Sequence, residues 1–287
     1  MFNRHVSALL PTTAFVLLWS SGAIVSEIAL RHGSPLAILI LRYAIALAVL
    51  VAFATWNGSL LPARGTRLRN ALIGLLIAGF YSAFYLLALD NGITPGALAT
   101  LLGVQPILTI FLTERRVTAQ RLLGLLCALA GLALVVSDGL ASMRFDLLGL
   151  AFAGLSLLGI TAGSILQKRE HQAPWAVLPM QYCAGLALAA AVSPLGQFRA
   201  SWDVGFVLPV LWLALVISVG TTFLLYRLIA RGNLVNVVSL FYLVPGVTAA
   251  MDWAIIGNPM SPLMMGGLGL VVVGLIIVFR YDARQKG

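Results

Sequence analysis

The sequence predicts an all-α membrane protein of ten transmembrane helices, arranged as two inverted repeats of five helices each. Two observations predict this fold class. First, 61% of the 287 residues are hydrophobic and only 9% are charged, whereas soluble domains carry about 25% charged residues. Second, landmarks of the first half return in the second half at a nearly constant spacing. Because each copy holds an odd number of spans, the second copy must insert upside down relative to the first.

Each predicted span is close to the ~20 residues that a helix needs to cross the hydrocarbon core. The connecting loops are short and leave no room for a separate soluble domain. The first apolar segment follows Arg4 and imitates a signal peptide, but nine spans follow it, so we interpret it as an uncleaved helix. The predicted spans are residues 11–30, 34–56, 70–89, 95–113, 119–137, 147–166, 175–194, 207–229, 234–256 and 263–280.

The internal duplication is defined by matched residues in corresponding spans. The first copy is expected to cover residues 1–140 and the second residues 141–287, and the halves meet around 138–146. About four residues were gained between the earlier and the later landmarks. The pairs are Ser34 with Ala173, Pro35 with Pro174, Tyr43 with Tyr182 and Pro106 with Pro245 at a spacing of 139, and Gly124 with Gly267 and Gly131 with Gly274 at 143.

The basic residues predict the orientation of the chain in the membrane. With the N-terminus inside, the inner loops carry 14 Lys and Arg, while the outer loops carry only Arg31, Arg144 and Arg199. Such a bias places both termini in the cytoplasm, and the protein is expected to be a multi-pass protein of a bacterial inner (plasma) membrane. The net charge of +9 is thus explained by topology, and we expect no nucleic-acid partner.

Motifs for catalysis, metals and cofactors are missing from the sequence. His5, His32 and His171 lie in loops or at span ends without metal-ligand spacing. The only lysines, Lys168 and Lys286, follow no phosphate-cradling loop, and no Gly-x-Ser-x-Gly elbow is present. We therefore expect no enzyme activity, no catalytic residue, no metal and no cofactor.

Three charged residues fall inside the predicted spans: Glu27, Arg42 and Asp252. An ionisable residue within a membrane indicates function, and it needs a partner. Glu27 is the candidate partner of Arg42 in a gating or structural ion pair, since their helices are antiparallel neighbours. The alternative is that Glu27 pairs with Arg31 one turn later and that Arg42 extends toward the outer interface.

Pro106 and Pro245 lie in the middle of corresponding spans. Proline cannot donate a hydrogen bond and clashes with the carbonyl four residues earlier, here those of Leu102 and Phe241. Helix breaks of this kind are tolerated where the backbone faces protein or a water-filled cavity. The symmetric pair therefore indicates either a central cavity or two plain kinks.

Polar and aromatic side chains follow single faces of several predicted helices. In the eighth span the residues at positions 218, 221, 222 and 226 form one helical stripe, and the third span carries a shorter one. Each residue alone is compatible with a structural role, but together they predict an amphipathic substrate pocket. Its predicted residues are Trp19, Tyr81, Ser82, Tyr85, Gln105, Ser218, Thr221, Thr222 and Tyr242.

The sequence resembles the EamA-type branch of the drug/metabolite transporter superfamily over nearly its whole length. The resemblance rests on Arg42-Tyr43 after Ser34-Pro35, on the run 84–89 that leads into Pro106, and on Thr113-Glu114-Arg115 followed by Gly124. Asn258 stands about where the family often has Glu. The resemblance implies a ten-helix exporter of the inner membrane whose cavity is lined largely by spans 1, 3, 4, 6, 8 and 9.

Within the family the chain is most similar to the YddG-type exporters of aromatic amino acids. We expect an exporter of small metabolites, aromatic amino acids first, that works by alternating access. Its expected partners are a small-molecule substrate and the lipid bilayer, and a coupling proton is a further candidate. The alternatives are a permease of the same family for a sugar or a nucleobase, or a membrane-embedded lipid enzyme. The oligomeric state is unknown from the sequence.

Overall fold

The computed structural model describes residues 2–114, 117–135, 137, 146–247 and 261–285. This part of the chain is helical and contains no strand, apart from an isolated antiparallel bridge between Gly33 and Ala200. The helices are α1 Phe2–His32, α2 Pro35–Trp56, α3 Arg67–Asp90, α4 in two pieces, Pro95–Leu102 and Gln105–Thr113, α5 Ala119–Val135, α6 Leu147–Lys168, α7 Pro174–Val192, α8 Val204–Arg231, α9 Leu234–Val247 and α10 Pro262–Gln285.

Seven of these helices are long and apolar enough to cross a membrane: α1, α2, α3, α6, α7, α8 and α10. The described α4, α5 and α9 are shorter but also apolar. The helix bounds agree with the predicted spans to within a few residues, except that α1 begins nine residues before the predicted residue 11. The predicted end of the ninth span at residue 256, and the residues Asp252 and Asn258, lie outside the described residues. Most of the predicted boundary between the halves, 138–146, does too.

The helix starts follow from side chains that cap the first free backbone N–H groups. Ser34 accepts a hydrogen bond from the amide of Ala37 at the start of α2. Asp203 does the same for Phe206 at the start of α8. Proline occupies the first helical turn of α2 and α7, where its missing N–H costs nothing. The turn residues of the sequence therefore fix where these spans begin.

α3 and α8 each contain a π-helical segment in the middle, Leu75–Tyr81 and Leu213–Thr221. In such a segment backbone bonds reach five residues back instead of four. Hydroxyl side chains follow the same spacing, since Ser82 donates to the carbonyl of Ile77 and Ser218 to that of Leu213. These segments widen the two helices where they face the centre of the protein.

Both predicted helix breaks coincide with irregular turns. α4 consists of two pieces, Pro95–Leu102 and Gln105–Thr113, and Pro106 lies in the first turn of the second piece. In α9 a 3-10 turn, Leu240–Tyr242, precedes Pro245. The clash between proline and the preceding helical turn explains why the regular helix is interrupted there.

α5 and α10 cross at very short range because glycines form their contact. A Cβ on Gly131 would lie 2.6 Å from the carbonyl oxygen of Gly267, and one on Gly124 would lie 2.9 Å from that of Gly274. Even an alanine would therefore collide with the partner backbone. Small residues at such spacing let two helices approach closely.

Two junctions join the loops to the starts of helices α3 and α8. At the Glu170 junction, Glu170 in the α6–α7 loop accepts hydrogen bonds from Arg69 and Asn70 of α3, each at 2.8 Å. At the His32 junction, His32 contacts Asp203 at 3.2 Å and Gly33 bridges Ala200. The two junctions lie at opposite ends of the helices.

Candidate functional site

A cavity lies at the centre of the protein, between the middle of the helices and the end where α3 finishes and α8 begins. Its volume is about 100 Å³, whereas one water needs ~10–15 Å³ on the same measure. Six helices and Arg42 of α2 form its wall. The lining residues are Trp19, Gly22, Ala23, Ser26, Arg42, Tyr81, Ser82, Tyr85, Ala99, Leu102, Gln105, Ile160, Leu213, Ile217, Phe241 and Val244.

Five of the predicted pocket residues line this cavity: Trp19, Tyr81, Ser82, Tyr85 and Gln105. The rings of Tyr81 and Tyr85 lie 5.8 Å apart, one helical turn from each other on α3. Gln105 is buried and donates to Ser164 on α6 at 3.3 Å. The wall thus combines flat aromatic surfaces with amide and hydroxyl groups. This combination can accept a ligand that has an apolar ring and a polar end.

Arg42 supplies the positive charge of the cavity. Its Nε donates to the hydroxyl of Ser218 at 2.6 Å, and its guanidinium lies 5.5 Å from the ring centroid of Tyr43. Within the described ranges no carboxylate lies within 4.0 Å of Arg42. Arg42 also lines the cavity, so an anionic group bound there can pair with its guanidinium.

The predicted ion pair between Glu27 and Arg42 is not formed. Glu27 instead pairs with Arg31 at 2.8 Å, one turn along α1, and its side chain is 43% exposed. The physical reason is proximity, because residues four apart on a helix are neighbours and Arg31 offers a solvated partner that needs no burial. Of the two alternatives for Glu27, the structure contains the pairing within α1.

Three predicted pocket residues on α8 lie behind the cavity wall rather than in it. Ser218 holds Arg42, as described above. Thr221 donates to the carbonyl of Val216, and Thr222 donates to that of Ile217 while also contacting the hydroxyl of Tyr182. These hydroxyls satisfy the π-helical backbone, which turns the predicted stripe away from the cavity.

Tyr242, a predicted pocket residue, does not line the cavity. Its side chain is fully buried in a separate apolar cluster between α4, α5, α9 and α10, which includes Ile110 and Leu125. The neighbouring Phe241 faces the cavity instead. The 3-10 turn at Leu240–Tyr242 has a tighter winding than an α-helix, so a phase counted along a regular helix selects the wrong neighbour.

The cavity also contains apolar residues that the prediction from polar stripes missed. Leu102 and Phe241 line it, and both stand four residues before a helix-breaking proline. Gln105 and Val244 stand immediately before the same prolines and line it as well. The signal that would have found them is the position relative to Pro106 and Pro245, since the break opens the helix toward the cavity at those residues.

Fold and cavity define the class first: a multi-pass, all-helical membrane protein with a central cavity. Residues 7–137 match the model of the EamA-like transporter family. This is the family that the sequence resembles, and the match covers just under half of the chain. The chain is 24% identical to a probable amino-acid metabolite efflux pump of Salmonella typhimurium over 94% of both chains. Both comparisons thus find transporters: a transporter family for residues 7–137 and an efflux pump for nearly the whole chain.

A solved crystal structure of another protein has the same fold. It superposes with a TM-score of 0.80 at 20% identity and covers 98% of this chain and 99% of the other. At that identity the similarity establishes the fold alone. The arrangement of the described helices therefore exists in an experimentally determined protein.

Proposed function

We propose that this protein is a secondary transporter of a bacterial inner membrane that exports small metabolites, chiefly aromatic amino acids, by alternating access through the central cavity. The observation that carries the proposal is Arg42, a cation without a carboxylate partner in the described wall, placed in one cavity with Tyr81 and Tyr85. An aromatic amino acid has a carboxylate for the guanidinium and a ring for the tyrosines. The efflux pump to which the chain is similar supports this substrate class.

The proposed architecture is ten spans in two inverted repeats, residues 1–140 and 141–287. Reciprocal contacts support it. Gly124 approaches Gly274 while Gly131 approaches Gly267. Because Gly124 corresponds to Gly267 and Gly131 to Gly274, a two-fold axis between the helices relates one contact to the other. The described short helices α4, α5 and α9 are proposed to complete the spans that the seven long helices begin.

Two further correspondences support the repeat. The rings of Tyr43 and Tyr182, which are matched in sequence, contact each other at 5.3 Å, as residues near a two-fold axis would. The π-helical segments occupy matching places in α3 and α8. Inverted repeats place the substrate at their interface near the bilayer midplane in many transporters, and the cavity lies between these helices.

The proposed orientation has both termini in the cytoplasm, because 14 basic residues lie on that side and three on the other. Thiol labelling of Arg67→Cys tests it. A membrane-impermeant reagent should label this cysteine in inverted vesicles but not in intact cells. Labelling in intact cells would reverse the orientation without affecting the proposed substrate.

A coupling proton remains a proposal with few candidate carriers. Glu27 is half-exposed and already paired with Arg31, and Asp252 lies outside the described residues. If a proton is coupled, substrate flux should generate a pH change inside the vesicles that Glu27→Gln or Asp252→Asn abolishes. A flux that proceeds unchanged in a proton ionophore would exclude coupling while leaving transport intact.

Counterflow in liposomes that contain only this protein tests the proposed function. The panel consists of aromatic amino acids, aliphatic amino acids, a sugar and a nucleobase, and aromatic amino acids should exchange fastest. Movement of the sugar or the nucleobase but of no amino acid would replace the proposed substrate with that of the alternative permease. Absence of flux for every class of solute would count against a transporter and favour the alternative, a membrane-embedded lipid enzyme.

Variants connect the flux to the cavity. Arg42→Gln should lower the transport efficiency at least about tenfold, the range of a hydrogen bond to a charged group. Tyr85→Ala should weaken apparent affinity by about threefold to tenfold. Arg64→Gln, an exposed loop change, is the matched control and should leave both unchanged. Protein abundance must be matched, because a purely structural role would lower expression instead of affinity.

A further inference from the structure

A second space, here called the vestibule, lies where α8 ends and α9 begins. Its volume is about 490 Å³, larger than that of the central cavity. It lies on the side where α1 starts, which the basic residues assign to the cytoplasm. The vestibule is lined by Pro11, Thr12, Leu224, Arg227, Leu228, Arg231, Gly232, Asn236, Val237, Leu240 and Phe279.

The vestibule and the central cavity lie on the same helix faces. On α1, Thr12 lines the vestibule and Trp19 lines the cavity, and seven residues correspond to nearly two full turns on one face. On α9, Val237 lines the vestibule and Phe241, one turn later, lines the cavity. The same order holds on α8. Three helices therefore lead from one space into the other.

Three aromatic rings fill the region between the two spaces. Phe15 is completely buried and lies on α1 between Thr12 and Trp19. Its ring is 5.4 Å from that of Trp19 and 5.6 Å from that of Phe241, and the latter two are 5.1 Å apart. This aromatic plug, Phe15, Trp19 and Phe241, closes a distance of ~10 Å along α1 at 1.5 Å per residue.

The vestibule carries two cations. Arg227 and Arg231 are exposed and stand one turn apart on α8. In the part of the chain that the structure describes, neither has a carboxylate within ion-pair distance, and Arg227 rests over the ring of Phe223 at 5.6 Å. Two guanidinium groups beside apolar walls suit a molecule with a carboxylate and an apolar side chain.

We infer that the vestibule is a second substrate site, in which Arg227 and Arg231 bind the carboxylate of an amino acid before it passes the aromatic plug to reach Arg42. The inference rests on the proposed function. It gives the substrate a path with two cationic sites, here called stations: Arg227 with Arg231 in the vestibule, and Arg42 in the central cavity. The plug is the closed barrier between the stations. Phe15 is its central residue because it contacts both other rings and lines neither space.

The barrier is tested by thiol labelling, which requires no substrate. Ala23→Cys places a thiol in the cavity of a chain in which Cys127 and Cys183 are replaced by alanine. A membrane-impermeant maleimide added from the vestibule side should label it slowly, and Phe15→Ala should accelerate labelling about tenfold or more. Phe53→Ala removes a lipid-facing ring that is 49% exposed and should leave the rate unchanged. Phe15→Leu, which keeps most of the volume, serves if Phe15→Ala does not fold.

The cationic station is tested by flux from the vestibule side in liposomes of neutral lipid. The double variant Arg227→Gln, Arg231→Gln should raise the KM for phenylalanine about threefold to fivefold, the range of exposed ion pairs. It should leave the KM for phenylalaninamide, which lacks the carboxylate, unchanged. The control Arg64→Gln, Arg67→Gln removes the same charge from the same side and should change neither.

Each outcome decides the inference. Rapid labelling of Ala23→Cys with Phe15 present would show that the plug is no barrier. If the double variant changes the KM for phenylalanine and for phenylalaninamide equally, Arg227 and Arg231 do not bind the carboxylate. An effect seen only with anionic lipid would assign the two arginines to phosphate headgroups. If Ala23→Cys is labelled slowly and Phe15→Ala accelerates the labelling, but no amino acid is transported, the proposed substrate is wrong. The second substrate site is then wrong as well, but the aromatic plug is still a barrier.

Discussion

The two junctions of the protein serve the same purpose but differ in burial. At the Glu170 junction the carboxylate is only 1% exposed and five donors reach its two oxygens, from Arg69, Asn70, Gln172 and the following backbone amides. At the His32 junction the paired side chains are 38% and 52% exposed. An ion pair in water contributes little, whereas a buried carboxylate depends on its donors. The comparison teaches that burial, more than the pairing itself, sets the strength of a junction.

The difference bears on alternating access. In the proposed repeat the two junctions are counterparts, and each joins loops at one face of the membrane. The Glu170 junction lies at the face of the vestibule, beyond the aromatic plug, while the His32 junction lies nearer the central cavity. We expect separation at the His32 junction to cost less free energy than separation at the Glu170 junction, because fewer buried groups lose their partners.

The largest expected effect comes from Glu170→Gln. All five groups around the carboxylate are donors, so the new amide NH₂ would face donors and leave some of them unsatisfied. We expect the free energy of unfolding in detergent to fall by about 3 kcal/mol. Unfolding by increasing SDS fraction measures it. An unchanged transition would show that water replaces the carboxylate and that burial does not distinguish the junctions.

The second prediction concerns the glycine contact between α5 and α10, which is formed by corresponding residues of the two proposed repeats. Gly267→Ala should destabilise the protein by about 1–3 kcal/mol, the cost of overpacking, because the new Cβ would lie 2.7 Å from the carbonyl oxygen of Gly131. Gly266→Ala is the matched control on the same helix, since nothing lies within 4 Å of its Cβ position. If both variants unfold alike, the crossing of α5 and α10 is looser than the structure has it.

Much of the fold could be predicted because it depends on local and periodic signals. Hydropathy located the helices, and Ser34 and Pro35 fixed the start of α2. The π-helical segments were not predicted, because an inserted residue leaves no mark in composition or hydropathy. The hydroxyls of Ser218 and Thr222 were interpreted as pocket residues for that reason, although they bond to backbone carbonyls five residues earlier.

The site could be predicted where helices are regular. Tyr81 and Tyr85 follow one face of α3 and both line the cavity. Tyr242 was predicted to line the pocket but does not line the cavity, because a 3-10 turn changes the direction in which the side chains of α9 point. The partner of Glu27 could not be decided from the sequence, since the choice between Arg31 and Arg42 depends on the depth and tilt of α1. Such distances follow from packing between helices, which a single sequence does not contain.

The third prediction is a pH dependence at the Glu170 junction. Burial acts to raise the pKa of Glu170, but hydrogen bonds from Arg69, Gln172 and Asn70 outweigh it and lower the pKa to about 2 from an ordinary 4.5. A lowered folded-state pKa gives stability that is complete above the unfolded pKa and is lost as the pH falls toward the folded pKa. The difference between the melting temperatures of the wild type and Glu170→Gln should therefore shrink between pH 5 and pH 3. A constant difference would mean that the carboxylate is not the source of the stability.

The smallest effect is expected at the His32 junction. Asp203→Asn removes the charge that contacts His32 but keeps an oxygen that can accept from the amide of Phe206 at the start of α8. Because the pair is exposed and the helix cap is retained, the unfolding transition should stay within the scatter of the wild type. Asp203→Ala removes the cap as well and should lower stability measurably, which separates the two roles. A loss for Asp203→Asn as large as that for Glu170→Gln would show that exposure does not weaken this junction, and the expected order of opening would then have no basis.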